Sequence, residues 1–179
     1  MADDDTAAPS IHRRRILAGA AAAAAAAAGT ASAQPQPGPG LEFALEIVAE
    51  LAPSLTPGPT PYGRRNLIPI TGGTFEGAAI KGKVLPGGGD WQLSRNDGTA
   101  TLDADYMIQA DDGALIHVHN HGVLSGLGGD PSKVYLRTNP VFEAPIGPHD
   151  WLNKAMFVGT VTPVGQPPTA VRVRVYKVT

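Results

Sequence analysis

Apolar and polar residues alternate with a period of two at both ends of the folded part of this chain. Leu41, Phe43, Leu45, Ile47, Ala49 and Leu51 fall on one side, with Glu42, Glu46 and Glu50 on the other. A helix can be drawn through Leu41, Leu45 and Val48, but glutamates confined to the opposite face of the alternation predict a strand. The pattern returns near the C-terminus, where Val171, Val173 and Val175 oppose Arg172, Arg174 and Tyr176. Between them, turn signals recur every eight to fifteen residues or so, at Pro57-Gly58-Pro59, Gly72-Gly73, Pro86 to Gly89, Asn96-Asp97-Gly98, Asp111-Asp112-Gly113, 126–131, 145–148 and 163–168. Such spacing predicts successive hairpins, with the tightest turns at Asp97-Gly98 and Asp112-Gly113. The segment 150–158 also alternates, as Trp151, Asn153, Ala155 and Phe157, and is read as a strand. About eight to ten strands without a convincing helix leave an all-β barrel or sandwich. An antiparallel up-and-down barrel of about eight strands is preferred, because it has no free edge and can enclose one small ligand.

Composition agrees with this picture. Of 179 residues, 22 are glycine and 17 proline, and only 17% are charged. The formal charge of −2 and a single adjacent basic pair after the leader, Arg64-Arg65, argue against nucleic acid as a partner. The absence of cysteine excludes disulfides, thiolate metal sites and a thiol nucleophile. Ser-His-Asp spacing, phosphate-cradling loops and dinucleotide fingerprints are missing too, and no cofactor is implied.

Residues 1–33 read as a twin-arginine signal peptide. Arg13 and Arg14 precede a variable residue and two apolar ones, an alanine-rich run follows from Leu17 to Ala28, and Ala31-Ser32-Ala33 forms an A-x-A cleavage site. About a dozen mostly alanine residues fall short of the roughly 20 a spanning helix needs, so no stable membrane anchor is expected after cleavage. The expected location is periplasmic or secreted, with the twin-arginine export machinery as a partner. Residues 34–40 (QPQPGPG) form a Pro/Gly linker, and the domain occupies 41–179.

Several segments of that domain carry a family pattern: Gly63-Arg64, Ile70-Thr71-Gly72-Gly73-Thr74-Phe75-Glu76-Gly77, Leu85-Pro86-Gly87-Gly88-Gly89-Asp90-Trp91-Gln92, Ala104-Asp105-Tyr106, Asp111 to Ile116, Asn120-His121-Gly122, Pro140 to Ala144 and Asp150-Trp151-Leu152-Asn153. In these the chain resembles the DUF3237 (UPF0311) family of unknown function over nearly the whole mature length. The Gly-Gly-x-Asp-Trp-Gln segment is the most specific part. The resemblance implies a lipocalin-like, calycin-type antiparallel barrel and supplies no general activity.

Four groups of residues are candidates for chemistry. Asp90 and Trp91 follow a triple-glycine turn, where an indole and a carboxylate can rim a pocket; alternatively Trp91 is core and Asp90 caps the turn. Tyr106 is the polar tip of an inward row Leu102, Ala104, Tyr106 and Ile108, and Asn120 on the next strand is its natural partner, the pair orienting a carbonyl or phenol or simply satisfying one another. Glu143 is a candidate second carboxylate for acid–base work with Asp90, and Arg64 a clamp for an anionic group, with Glu76 and Trp151 completing the motif positions; surface ion pairing is the competing role. His117, His119 and His121 lie on one strand face opposite Ile116, Val118 and Asn120, about 6 to 7 Å apart per step. His117 and His119 could share a metal, but no carboxylate follows before Asp130, and a solvated or interface row competes.

Two functional expectations follow. The first is an exported barrel whose lumen binds a small apolar or aromatic molecule. The second is a cofactor-independent isomerase, lyase or cyclase using a lumen carboxylate as general base, with Tyr106 and Asn120 polarising a carbonyl. A lumen carboxylate of raised proton affinity separates the second from the first. A self-associating module, with the chain as a homo-oligomer, is a weaker third.

Overall fold

The computed structural model describes residues 37–179, so the expected signal segment with Arg13, Arg14, Ala31 and Ala33, and the first part of the linker, lie outside the described residues. Ten strands follow in order: β1 (Leu41–Leu51), β2 (Leu55–Thr60), β3 (Gly63–Gly77), β4 (Lys81–Val84), β5 (Gly88–Ser94), β6 (Ala100–Ala110), β7 (Leu115–Ser125), β8 (Tyr135–Glu143), β9 (Phe157–Val164) and β10 (Ala170–Val178). No α-helix occurs among the described residues, only short 3₁₀ turns at Pro131–Lys133 and Asp150–Lys154.

Each strand runs antiparallel to its neighbours, and β1 closes the sheet by pairing with β10 on one side and β3 on the other. The result is an eight-stave barrel in which two staves are interrupted. The fifteen-residue β3 is long enough to serve both. On one side β1 pairs its stretch Ile70–Gly77 and β2 its stretch Gly63–Leu67; on the other, β4 pairs Thr74–Glu76 and β5 pairs Arg64–Ile70. Proline explains one interruption, since Pro53, Pro57 and Pro59 have no N–H to donate to the ladder. The other is the turn at Pro86-Gly87, where Gly87 has φ +106°. Where β3 crosses β1, Gly73 has φ +132°, and a Cβ there would lie 2.0 Å from the Val48 carbonyl oxygen. Only glycine allows that approach.

Period-two patterning builds the interior. On β1 Leu45, Ile47 and Ala49 are buried, and on β10 Val173 and Val175. Two ends of the barrel differ. At one end Phe75, Ile108, Ile116, Phe142 and Phe157 fill the interior, with Phe142 and Phe157 edge to face at 5.1 Å. At the other end the inward side chains are smaller and leave the lumen hollow.

The segment 150–158 is not one strand. Asp150–Lys154 forms a 3₁₀ turn and β9 begins only at Phe157. Leu152 is 1% exposed and plugs the filled end, while Asn153 ties the turn to β8 by accepting from Ala144 N at 2.8 Å and donating to Ala144 O at 2.9 Å. The alternation of Trp151, Asn153, Ala155 and Phe157 mimics a strand, but within the turn only Leu152 is buried, with Trp151 half-buried and Asn153 exposed beside it.

One seam is weak. β8 and β9 pair only at Arg137↔Thr160 and Thr138↔Gly159, whereas β6 and β7 pair from Ala100↔Leu124 to Gln109↔Leu115. Pro140 and Pro163 remove donors on either side, and the Asn139 side chain bridges part of the gap by donating to Phe157 O at 2.7 Å.

Candidate functional site

The hollow end holds a cavity of about 160 Å³. Its wall is divided. Strands β1, β3, β9 and β10 contribute only apolar side chains such as Leu51, Ile70 and Val173, while β5 to β8 set Asp90, Gln92, Tyr106, Asn120 and Thr138 among leucines and an alanine. Among the described residues lining it there is one acid and no base.

Strand register sets this polar wall. Asp90 lies opposite Ala104, Ala104 opposite Asn120, and Asn120 opposite Pro140, so four strands share one level of the barrel. The alanine methyl between them leaves Asp90 and Asn120 facing the same space over a backbone span of roughly 10 Å, two strand spacings. Tyr106 pairs with Val118 and is therefore one inward step further down β6, diagonal to Asn120. Thr138 is opposite Gly122 and Gly159, and a Cβ at either glycine would come within 2.8 Å or 2.4 Å of its side chain. Those two glycines make room for it.

Asp90 is anchored through both oxygens. Oδ1 accepts from Asp103 N at 2.9 Å and Oδ2 from Gln92 Nε2 at 2.7 Å. Burial nonetheless raises its proton affinity above the ordinary carboxylate value, outweighing both hydrogen bonds, and the nearby Asp103 charge adds to the rise. Burial also pushes the Tyr106 phenol well up, so it stays protonated. Tyr106 forms no hydrogen bond with Asn120. Asn120 Oδ1 and Thr138 Oγ1 are buried without a hydrogen-bond partner among the described residues.

Asp90, Tyr106 and Asn120 thus come together in the lumen, and the other candidates do not. Glu143 is on the outer surface with its side chain 87% exposed, where Oε2 lies 3.8 Å from His117 Nδ1. The expectation of a second lumen carboxylate fails because β8 turns Phe142 inward and Glu143 outward. Trp91 is also outside, since a strand cannot aim successive residues at one face; it borders a shallow external groove with Leu67, Pro69 and Pro86. Arg64 and Glu76 are exposed on β3, away from the cavity. Trp151 sits at the filled end, its ring 6.1 Å from that of Phe157.

The histidine row faces outward, and two of its members lie beside acids. His117 Nε2 is 3.0 Å from Asp105 and His119 Nε2 is 2.6 Å from Asp103. Among the described residues no group of three metal-ligating side chains is gathered there. Gln92 and Thr138 were not singled out by the sequence. Both carry the same period-two signal as their neighbours, two residues after Asp90 and two before Pro140, respectively.

Residues 39–178 match the profile of a family described as protein of unknown function (DUF3237). A UPF0311 protein of Rhodopseudomonas palustris (strain TIE-1) is 35% identical over 130 residues, covering 66% of this chain and 85% of the relative. Another, from Clostridium acetobutylicum, is 43% identical over 107 residues, 54% of this chain and 68% of the relative. The crystal structure of a beta-barrel like protein from Acinetobacter baumannii AYE superposes with a TM-score of 0.71 at 32% identity, covering 82% of this chain and 99% of that one. With the barrel, its glycine crossings and the motif segments all inside the matched region, the chain belongs to the DUF3237 (UPF0311) family.

Proposed function

We propose that this barrel binds one small, largely apolar molecule in its lumen. The observation that carries the proposal is the half-filled interior: a cavity of about 160 Å³ with apolar walls and a few polar groups on one side. Native interiors close such space unless it has a use, and an apolar cavity of about 150 Å³ admits benzene. A ring-sized ligand matches both the volume and the wall. The test is a thermal-shift series on the 41–179 domain with neutral aromatic compounds. A ligand at about 100 times its Kd stabilises by roughly 2.7 kcal/mol, enough for a clear rise in Tm. If every compound leaves Tm unchanged, the proposal falls.

A second reading is favoured by one specific observation. Asp90 combines a lumen position with burial that raises its proton affinity, the property that suits a general base or acid. In this reading Asp90 moves a proton on a bound carbonyl compound, and the un-ionised Tyr106 hydroxyl steadies the developing oxyanion. Asp90→Asn would then abolish turnover and leave binding intact. For either reading, export remains part of the proposal on the strength of the Arg13-Arg14 motif and the Ala31-Ser32-Ala33 site.

A further inference from the structure

The polar wall of the lumen has a chemical selectivity of its own. Asn120 is 5% exposed and its Oδ1 is an acceptor with no donor among the described residues. Leaving such an atom buried costs free energy unless a ligand completes it. A hydroxyl answers it in either orientation of the amide, because it both donates and accepts. Tyr106, held un-ionised by burial, presents the opposite need: its hydroxyl donates, and a carbonyl oxygen is the matching acceptor.

Backbone register relates these two demands. Ala104 pairs with Asn120 and Tyr106 with Val118, so Tyr106 and Asn120 are diagonal neighbours on adjacent strands, about 7 Å apart at the backbone and turned into one cavity. Both groups can therefore be met by two oxygens of one small molecule, a hydroxyl and a carbonyl carried close together on it. Charge narrows the class further. The lining carries Asp90 and no lysine, arginine or histidine, so a carboxylate or phosphate ligand would enter a low-dielectric space with no cation to meet it.

We infer that the lumen selects a neutral hydroxy-carbonyl compound on a ring-sized apolar body, its hydroxyl on Asn120 and its carbonyl oxygen on Tyr106. This rests on the reading of the lumen as a binding site and adds which functional groups that site reads.

Four probes of nearly one shape test it: 2-hydroxy-1-phenylethanone carries both groups, acetophenone the carbonyl, 1-phenylethanol the hydroxyl, and ethylbenzene neither. Calorimetric titration of the protein is expected to rank the first tightest, by about tenfold over either single-group probe. Asn120→Leu keeps the side-chain shape and should bring 2-hydroxy-1-phenylethanone and acetophenone to within about twofold of one another. Tyr106→Phe should weaken both ketones and spare 1-phenylethanol. Should either variant fail to fold, the wild-type ranking alone still decides. Ethylbenzene binding as tightly as 2-hydroxy-1-phenylethanone would overturn the selectivity and leave lumen binding standing. Failure of all four, ethylbenzene included, would overturn lumen binding and the selectivity with it.

Discussion

The backbone amide of Asp103 donates to Asp90 Oδ1 at 2.9 Å, fixing the lumen carboxylate to the neighbouring strand β6. Despite that bond, burial leaves the native Asp90 a better proton acceptor than an unfolded aspartate. A raised native pKa contributes stability at low pH that is lost as pH rises past 3.8 and through the native value. Asp90→Asn removes this loss. Urea midpoints at about pH 4 and about pH 7 should show the variant gaining on the wild type at the higher pH. A gain confined to the lower pH would contradict the burial argument.

Asp112 has the opposite sign. It accepts from Ala114 N at 3.1 Å and from His149 Nε2 at 2.8 Å, and these hydrogen bonds hold its carboxyl below the usual range, the Ala114 bond first. Its contribution is present above 3.8 and disappears as pH falls through the lowered native value. Asp112→Asn should therefore destabilise the protein near neutrality and match the wild type in acid. Unfolding curves for both proteins across that range read the difference directly.

Glycine substitutions distinguish crossing from turn. At Gly73 an added Cβ meets the Val48 carbonyl oxygen at 2.0 Å as well as a positive φ, so Gly73→Ala should cost about 3 kcal/mol or more. Gly87 has a positive φ but open space around it, and Gly87→Ala should cost only about 1–2 kcal/mol. Equal losses in equilibrium denaturation would show that the crossing is not tight.

Filling the lumen should abolish binding while keeping the barrel. Ala104 sits between Asp90 and Asn120, and Ala104→Trp places an indole across the cavity. We expect a loss of at least tenfold in affinity for 2-hydroxy-1-phenylethanone, at an overpacking cost of about 1–3 kcal/mol. Unchanged affinity in a folded variant would locate the binding elsewhere.

Export is tested in the cell. Replacing Arg13 and Arg14 together by lysine should leave the uncleaved chain in the cytoplasm, whereas the parent chain is expected to yield a periplasmic product beginning at Gln34. Cleavage at Ala33 in the double variant would remove the twin-arginine route.

Some of the site could be read from local pattern and some could not. Counting back from the Asp112-Gly113 turn sets Tyr106 near residue 118 or 120, and Val118 is its partner in the sheet. Val141 and Phe142 are both apolar, so sequence alone leaves the parity of β8 ambiguous and with it the side of Glu143; Val141 is 57% exposed and Phe142 buried, which puts Glu143 outside. Trp91 misleads for a related reason. It adjoins Asp90 in sequence and is separated from it by the thickness of the sheet.

Amino-acid order alone was enough for the strands of β1 and β10, the hairpin turns and the choice of an all-β barrel, because alternation and turn chemistry act over a few residues. Which end is packed and which is hollow depended on side chains from eight staves meeting at one level, and so on register across the whole circumference. The same holds for the company Asp90 keeps. Asn120 is thirty residues away along the chain, and only the register of β5 on β6 and of β6 on β7 puts the carboxamide and carboxyl groups on one wall.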